Sequence, residues 1–439
     1  MKVGISDAIV LALLICLTSL MLSCRQTQKE TDVPIDSLFE NRLESLLKDR
    51  EFFQLRLLLD KNADRISAPK KQLFTAYAEN AFNQNSRSAA IIQQLLKDEN
   101  LLDDSIKADL LLVQRDNYIK MFEYAKAAET GKLVIGSYGH LLKEKKLHDI
   151  KNLNKIYEGL AQTPAQGVVL SSATTINGKK DKLGLVNIPV RTGSKTYEFV
   201  FDTRASISTI MKSYAEKLEL TILDVKYQES SGITGNSFEA RLGVADSLYI
   251  GTLLVTNVVF QIVPDEILSF PFMDYAIHGI IGFPVITQWK EVHINRDGKI
   301  VIPAEQTKTG LKNLAFDEAT TVVSLRTEDD TLSFHFDSGA TTSALYYNYF
   351  NKYNSKVTST AKTDTIQLGG AGGVKQTPVY ILPSYVFYIN NREVTLKNIH
   401  VLTSAPYAGQ KYNGNLGQDL FGQFNELIFN FEDMYIDFK

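Results

Sequence analysis

The sequence predicts an α+β multidomain chain, in which an N-terminal α-helical repeat domain precedes two all-β lobes. Three observations carry that prediction. Apolar residues recur at helical spacing from about residue 30 to 165, and at a spacing of two thereafter. Thr163-Pro164-Ala165-Gln166-Gly167 breaks the pattern between the two regimes. The β-rich part then repeats itself. Phe201-Asp202-Thr203-Arg204-Ala205-Ser206 returns 135 positions later (202 to 337) as Phe336-Asp337-Ser338-Gly339-Ala340-Thr341.

Residues 1–24 read as a targeting segment. Lys2 is the charged start, Ala8 to Leu22 is an apolar run, and Ser23-Cys24 follows. That length suits a signal-peptide core and is short for a membrane span. Leu20-Met21-Leu22-Ser23-Cys24 resembles a bacterial lipoprotein cleavage site, with Met21 a less usual residue there. The resemblance implies that Cys24 becomes the lipidated first residue, anchoring the protein to a membrane of the bacterial cell envelope without a span. An ordinary signal peptide containing a cysteine by chance fits the same residues. Cys16, the other of two cysteines, lies inside the segment, so no disulfide is expected in the mature chain.

Residues 25–165 form the expected helical domain. Phe39, Leu43, Leu46 and Leu47 share one helical face, as do Leu55, Leu58 and Leu59. Ala81-Phe82 through Ala89-Ala90 is echoed by Met121-Phe122 through Ala127-Ala128, a period near 38 residues (89 to 127). The pattern is similar to degenerate tetratricopeptide-type helix pairs. Stacked pairs of that kind present a concave face to a protein partner. A helical spacer or a pro-region-like cover fits equally.

Residues 166–308 and 309–439 form the two expected lobes. Val186, Ile188 and Val190 alternate, as do Tyr197, Phe199 and Phe201. The offset of 135 carries the second set onto Leu332, Phe334 and Phe336 (201 to 336). It also carries Ile280-Ile281-Gly282 onto Asn415-Leu416-Gly417, Gln288-Trp289-Lys290-Glu291 onto Gln423-Phe424-Asn425-Glu426, and Asn295 onto Asn430, with no net insertion. A link between lobes falls near Pro303 to Lys312. Leu427-Ile428-Phe429 and Met434-Tyr435-Ile436-Asp437-Phe438 read as strands completing the second lobe.

Each copy ends an alternating run on a carboxylate followed by a hydroxyl residue. With these motifs the chain from about 170 to 439 resembles the retropepsin-like and pepsin-like aspartic proteases. Their motif is Asp-Thr/Ser-Gly-Ala/Ser/Thr, followed later by two apolar residues and a glycine. The second copy fits through Asp337-Ser338-Gly339-Ala340-Thr341 and Asn415-Leu416-Gly417, although Asn415 is polar. The first fits at Ile280-Ile281-Gly282 but has Arg204 where the family has glycine. Both downstream glycines stand 80 positions after their aspartates (202 to 282, 337 to 417). The resemblance implies Asp202 and Asp337 as a catalytic pair across a pseudo-twofold axis, Thr203 and Ser338 hydrogen-bonding across it, and a Gly339 N–H bonding the carboxylate. Two carboxylates about 3 Å apart cannot both ionise cheaply. The ionised one takes a proton from water and the protonated one polarises the scissile carbonyl. The titration belongs to the pair, so neither residue alone receives a role.

The family's closing hairpins are expected at Gly232-Ile233-Thr234-Gly235 and at Gly369-Gly370-Ala371-Gly372-Gly373, since glycines reach the positive φ of tight tips. A plain flexible loop also fits the second. A phosphate cradle does not, because β-formers follow it rather than a helix. Arg204 admits three readings. It points to substrate, and the cleft prefers acidic side chains. It lies against Asp202 and holds both carboxylates ionised, leaving a weak or acid-active enzyme. Or the chain binds peptides without cutting them.

Net charge is −3 and no basic stripe carries interleaved aromatics, which argues against nucleic acid. His140, His148, His278, His293, His335 and His400 do not fall at metal-ligand spacing, so neither metal nor cofactor is implied. His335, two residues before Asp337, reads as an ordinary strand residue in preference to a modulator of the pair. Asp433 and Asp437 read as solvated. No Gly-x-Ser-x-Gly elbow is present. The function expected is a lipid-anchored aspartic endopeptidase acting on peptide or protein. The alternatives are a catalytically impaired peptide-binding or scaffolding lipoprotein, and a nutrient-uptake lipoprotein working through its helices.

Overall fold

The computed structural model describes residues 36–439 except 99, 171, 231–234 and 406–409. The expected leader with Cys24, and Gly232 of the first hairpin, lie outside the described residues.

The helical part is built from hairpins. Helix α1 (Ser37–Lys48) pairs with α2 (Phe52–Asn62), α3 (Ala68–Ala81) with α4 (Asn85–Leu95), and α5 (Asp104–Lys120) with α6 (Tyr124–Leu133); α7 (Glu144–Leu160) follows and packs on α6. The Asp36 side chain caps α1 by accepting from the Phe39 N–H at 3.0 Å. Phe39, Leu43 and Leu46 are its buried stripe. The hairpins share one turn. Arg50, Asn83 and Phe122 take φ of 60°, 59° and 59°. The N–H of the next residue reaches back five positions, Glu51 to Leu46 (2.9 Å), Gln84 to Glu79 (2.7 Å) and Glu123 to Tyr118 (2.9 Å). These bonds satisfy carbonyls that the helix end leaves open. The turn puts Asn83 in register with Phe122, a spacing of 39 (83 to 122), so Phe82 corresponds to Met121. Matching Phe82 to Phe122 by eye is one residue out, because the two phenylalanines sit on successive positions of the same turn.

The lobes repeat a four-strand pattern. In the first, Lys195–Phe201 runs parallel to Gly279–Ile281, which pairs antiparallel with Ser208–Met211, which runs parallel to Leu253–Val263. In the second, Thr331–Phe336, Gly414–Leu416, Ala344–Leu345 and Arg392–Leu402 pair in the same order and sense. Ile281 faces Phe201 as Leu416 faces Phe336, so the offset of 135 holds there (281 to 416). It fails at the fourth strand. Thr209 faces Gln261, whereas Ala344 faces His400, an offset of 139 (261 to 400). The absence of a net insertion therefore conceals two compensating differences of four residues.

A five-stranded sheet joins the lobes. Its order is Thr174–Ile176, Ile300–Ile302, Glu291–Asn295, Glu426–Asn430 and Tyr435–Phe438. The C-terminal strands belong to this shared sheet, a correction to their expected place within the second lobe. Glu291 faces Asn430 and Asn295 faces Glu426. Each residue thus opposes the repeat-equivalent of its partner's mirror position, and the pseudo-twofold axis passes at His293 and Ile428. Around it Phe199, Phe201, Trp289, Phe334, Phe336 and Phe429 are fully buried, each contributing about 1.5–3 kcal/mol by burial.

The helices hold both lobes. At the α1–α2 turn Arg50 pairs with Asp317 (3.3 Å) and the Glu51 carboxylate accepts from the Ser333 hydroxyl (2.9 Å). The Asn83 amide donates to the Phe431 carbonyl (2.9 Å). Helix α7 reaches the first lobe instead. Ile156 and Leu160 cluster with Tyr227, Leu242 and Val244, and Asn152 exchanges two hydrogen bonds with the Gln228 backbone (2.6 and 3.2 Å).

Candidate active site

Asp202 and Asp337 stand at the ends of equivalent strands and meet at the lobe junction. Each backbone N–H is tied to the strand beside it, Asp202 to the Ile281 carbonyl and Asp337 to that of Leu416, both at 3.0 Å. The residues after them brace the two lobes reciprocally. The Thr203 N–H donates to Ser338 Oγ (2.9 Å), and the Ser338 N–H to Thr203 Oγ1 (3.2 Å). The Ser338 hydroxyl donates to the Phe201 carbonyl (2.9 Å), and the Thr203 hydroxyl to that of Phe336 (3.1 Å). Thr203 and Ser338 are buried, so none of these bonds exchanges freely with water.

Glycines set the spacing. A Cβ on Gly339 would stand 2.4 Å from Asp202 Oδ2, so the second lobe's backbone lies directly against the first lobe's carboxylate. Gly282 and Gly417 pass equally close to the Ala205 and Ala340 carbonyls, at 2.5 and 2.8 Å for a Cβ. Their N–H groups donate to the hydroxyls of Ser208 (3.1 Å) and Ser343 (3.0 Å). These two serines are support residues that the motif reading passed over. The signal was present, since they are identical at the same offset (208 to 343).

Arg204 breaks the symmetry. Its N–H donates to Asp202 Oδ1 (2.8 Å), joined by that of Ala205 (3.2 Å), as the Gly339 N–H donates to Asp337 Oδ1 (2.9 Å). Its guanidinium does not lie on Asp202, as one reading required. Nη1 pairs across the axis with Asp337 Oδ2 at 3.5 Å. Burial, then the charge of Asp337, pushes the Asp202 carboxyl up from 3.8 to about 7, against the N–H and the charge of Arg204, which pull it down. His335 is buried against the Tyr412 ring (4.5 Å), and burial together with Arg204's charge lowers it to about 2. Its imidazole is neutral through the working range and supplies no proton.

The second-lobe hairpin crosses the cleft. Lys362–Gly370 pairs with Gly373–Ile389 through a two-residue turn, and the Gly372 N–H donates to the Ile267 carbonyl of the first lobe (2.9 Å). Gly369 and Gly370, expected at the tip, lie in the strand; the positive φ falls on Gly372 (85°) and Gly373 (124°). In the first lobe Gly235 has φ of 73° at the entry to Ser237–Ile250, whose Ser237 faces Ser230 of Thr221–Ser230. Asp433 and Asp437 lie away from the pair, engaged by Lys308 and by the Asn390 amide. Among the described residues no group of His, Cys, Asp and Glu is placed to hold a metal ion, and no helix is long and apolar enough to cross a membrane.

Residues 188–285 match the aspartyl protease family model. The matched stretch holds Asp202, the first hairpin and Gly282. The second lobe is tied to it by the repeated register and the reciprocal bracing. Two aspartic-protease-like β lobes after a helical region, and a protease-like function, follow from the match and the fold together. No curated protein matches the chain.

Proposed function

We propose that this chain is an aspartic endopeptidase whose working groups are Asp202 and Asp337. The observation that carries the reading is the four-bond bracing by which Thr203 and Ser338 bond each other and the Phe336 and Phe201 carbonyls, presenting two carboxylates to one cleft. Burial divides their labour. Asp202, raised to about 7, keeps its proton near neutrality and hydrogen-bonds the scissile carbonyl. Its partner Asp337 then takes a proton from the attacking water. The hydroxide adds to the carbonyl carbon, and the proton on Asp337 passes to the leaving nitrogen as the C–N bond breaks. Thr203, Ser338, Gly339, Gly282 and Gly417 hold the geometry, and the two hairpins cover the substrate.

The Arg204–Asp337 pair also favours a second reading, a peptide-binding lipoprotein that does not cut. Proteolysis of a mixed peptide library by the full chain from acid to neutral pH decides between them. Turnover lost in both Asp202→Asn and Asp337→Asn supports the peptidase. Tight peptide binding with no turnover supports the other. Lipid attachment at Cys24 on a cell-envelope membrane belongs to the same proposal. It predicts that Cys24→Ser shifts the protein from membrane to soluble fraction; an unchanged distribution counts against it.

A further inference from the structure

The helical array meets the second lobe at a hairpin turn. Leu314–Asp317 pairs with Thr320–Arg326, and Glu318 sits on the turn with φ of 52°. The first of these strands packs against α3, and Lys120 at the end of α5 stands over the Phe316 ring (6.0 Å). Most charges at this junction are paired. Asp317 takes Arg50 (3.3 Å) and the Tyr412 hydroxyl (2.8 Å). Asp116 takes Lys120 (2.6 Å) and the Asn80 amide (2.7 Å). Two charges are left over. Arg115 of α5 is only 8% exposed, and among the described residues its Nε and Nη1 have no hydrogen-bond partner and its guanidinium no ion pair. Glu318 has no ion pair or side-chain hydrogen bond among them either. A buried charge without a partner costs stability, so its place in the fold needs a reason.

The two leftovers face each other. Each feels the other's charge, although they form no ion pair. Tyr157 of α7 adjoins Arg115, its ring stacked on Tyr124 (6.4 Å, 17°). Glu318 is open to solvent, yet the protein around it pushes its carboxyl up, helped by the charges of Asp317 and Asp116 and opposed by those of Arg50 and Arg115. Access without bulk water describes a crevice between the helices and the hairpin. Its charges select the ligand. A lone anion would meet Arg115 and be repelled by Glu318. A lone cation would meet Glu318 and be repelled by Arg115. A molecule with both charges satisfies both groups.

We propose that the crevice between α5, α7 and the Glu318 turn binds a zwitterion, a free amino acid or short peptide with both ends unblocked. Its carboxylate takes the Arg115 fork, its ammonium takes the Glu318 carboxylate, and its body lies along the Tyr157 ring. The ligand thereby ties the helical array to the second lobe. No cutting by Asp202 and Asp337 is required, so the site stands or falls apart from the peptidase reading.

Calorimetric titration of the full chain tests it with alanine, dialanine and trialanine, each free, N-acetylated or C-amidated. Blocking either end is expected to weaken binding about 10- to 100-fold, the range of one hydrogen bond to a charged group. Arg115→Gln should lose the response to amidation and keep that to acetylation. Glu318→Gln should do the reverse. If Arg115→Gln does not fold, Glu318→Gln at the open turn carries the test with the acetylated twins. The length that binds tightest fixes the span between the two charges, and any of the three supports the proposal. No binding of the free ligands to the native chain overturns it. So does a preference for its own end that either folded variant keeps, which would place the ligand elsewhere. Acetate bound as tightly as the free ligands would make Arg115 a plain anion site and also overturns it.

Discussion

Asp202 has a cost that depends on pH, and its sign is fixed. Its folded pKa of about 7 lies above the ordinary 3.8. The native state therefore holds a proton that the unfolded chain releases between those values. Stability from this group is complete below the unfolded value and is lost as pH rises through about 7. Asp202→Asn keeps the shape and never ionises. It should melt higher than the native chain at pH 8, with the gain shrinking toward pH 4. Equal gains at both pH values in calorimetry would show that Asp202 does not titrate in that window. On the peptidase reading, kcat/KM should fall as pH rises past about 7, and a flat profile there would count against Asp202 as the acid. Gly339 tests the geometry from the other side. Gly339→Ala drives a methyl to within 2.4 Å of Asp202 Oδ2, and overpacking of this kind costs about 1–3 kcal/mol. Loss of turnover with a modestly lowered melting temperature is expected. Retained turnover would mean that the two lobes can part there without harm.

Between elements, a close helix-to-lobe contact lies under the first hairpin. A Cβ at Gly159 of α7 would meet Val225 Cγ2 at 2.1 Å, so the Val225 side chain packs directly on the helix backbone. Gly159→Leu should lift α7 from Thr221–Ser230. Amide exchange is expected to quicken across residues 221–230 and 237–245, with Thr331–Phe336 unchanged; uniform exchange across both lobes would mean general unfolding instead. The sequence showed much of the site and little of this contact. Motif residues were readable because a pseudo-twofold site must repeat its hydroxyls and close-packed glycines in each lobe, and repetition is visible in one dimension. Gly159 has no such partner. Its reason lies in a strand more than sixty positions away (159 to 225). The target of Arg204 was hidden likewise, because the pairing is with the other lobe's aspartate. The compensating four-residue differences at Gln261 and His400 vanished into an unchanged total.

At the scale of the whole molecule, the two carboxylates keep their places only if the lobes keep theirs, and the shared sheet does most of that. Glu426–Asn430 pairs with Glu291–Asn295 across the axis, and Tyr435–Phe438 closes its outer edge. The Glu291 carboxylate sits buried on this seam. It accepts from the Asn430 amide (2.7 Å), the Thr307 N–H (2.8 Å) and the Thr307 hydroxyl (2.8 Å), with the His293 ring at 2.7 Å. Removing residues 430–439 takes away the Asn430 donor and three fully buried aromatics, Phe431, Tyr435 and Phe438. Loss of one donor to a buried carboxylate costs about 1.5–3 kcal/mol and large-to-small core losses several more, against a total stability of about 5–15 kcal/mol. The trimmed chain should therefore lose its cooperative melt in the lobes, while α1–α7 retain part of the helical signal. Far-UV and near-UV dichroism followed with temperature separate the two. An unchanged melt would mean that the reciprocal bracing at Thr203 and Ser338 holds the lobes together without the sheet.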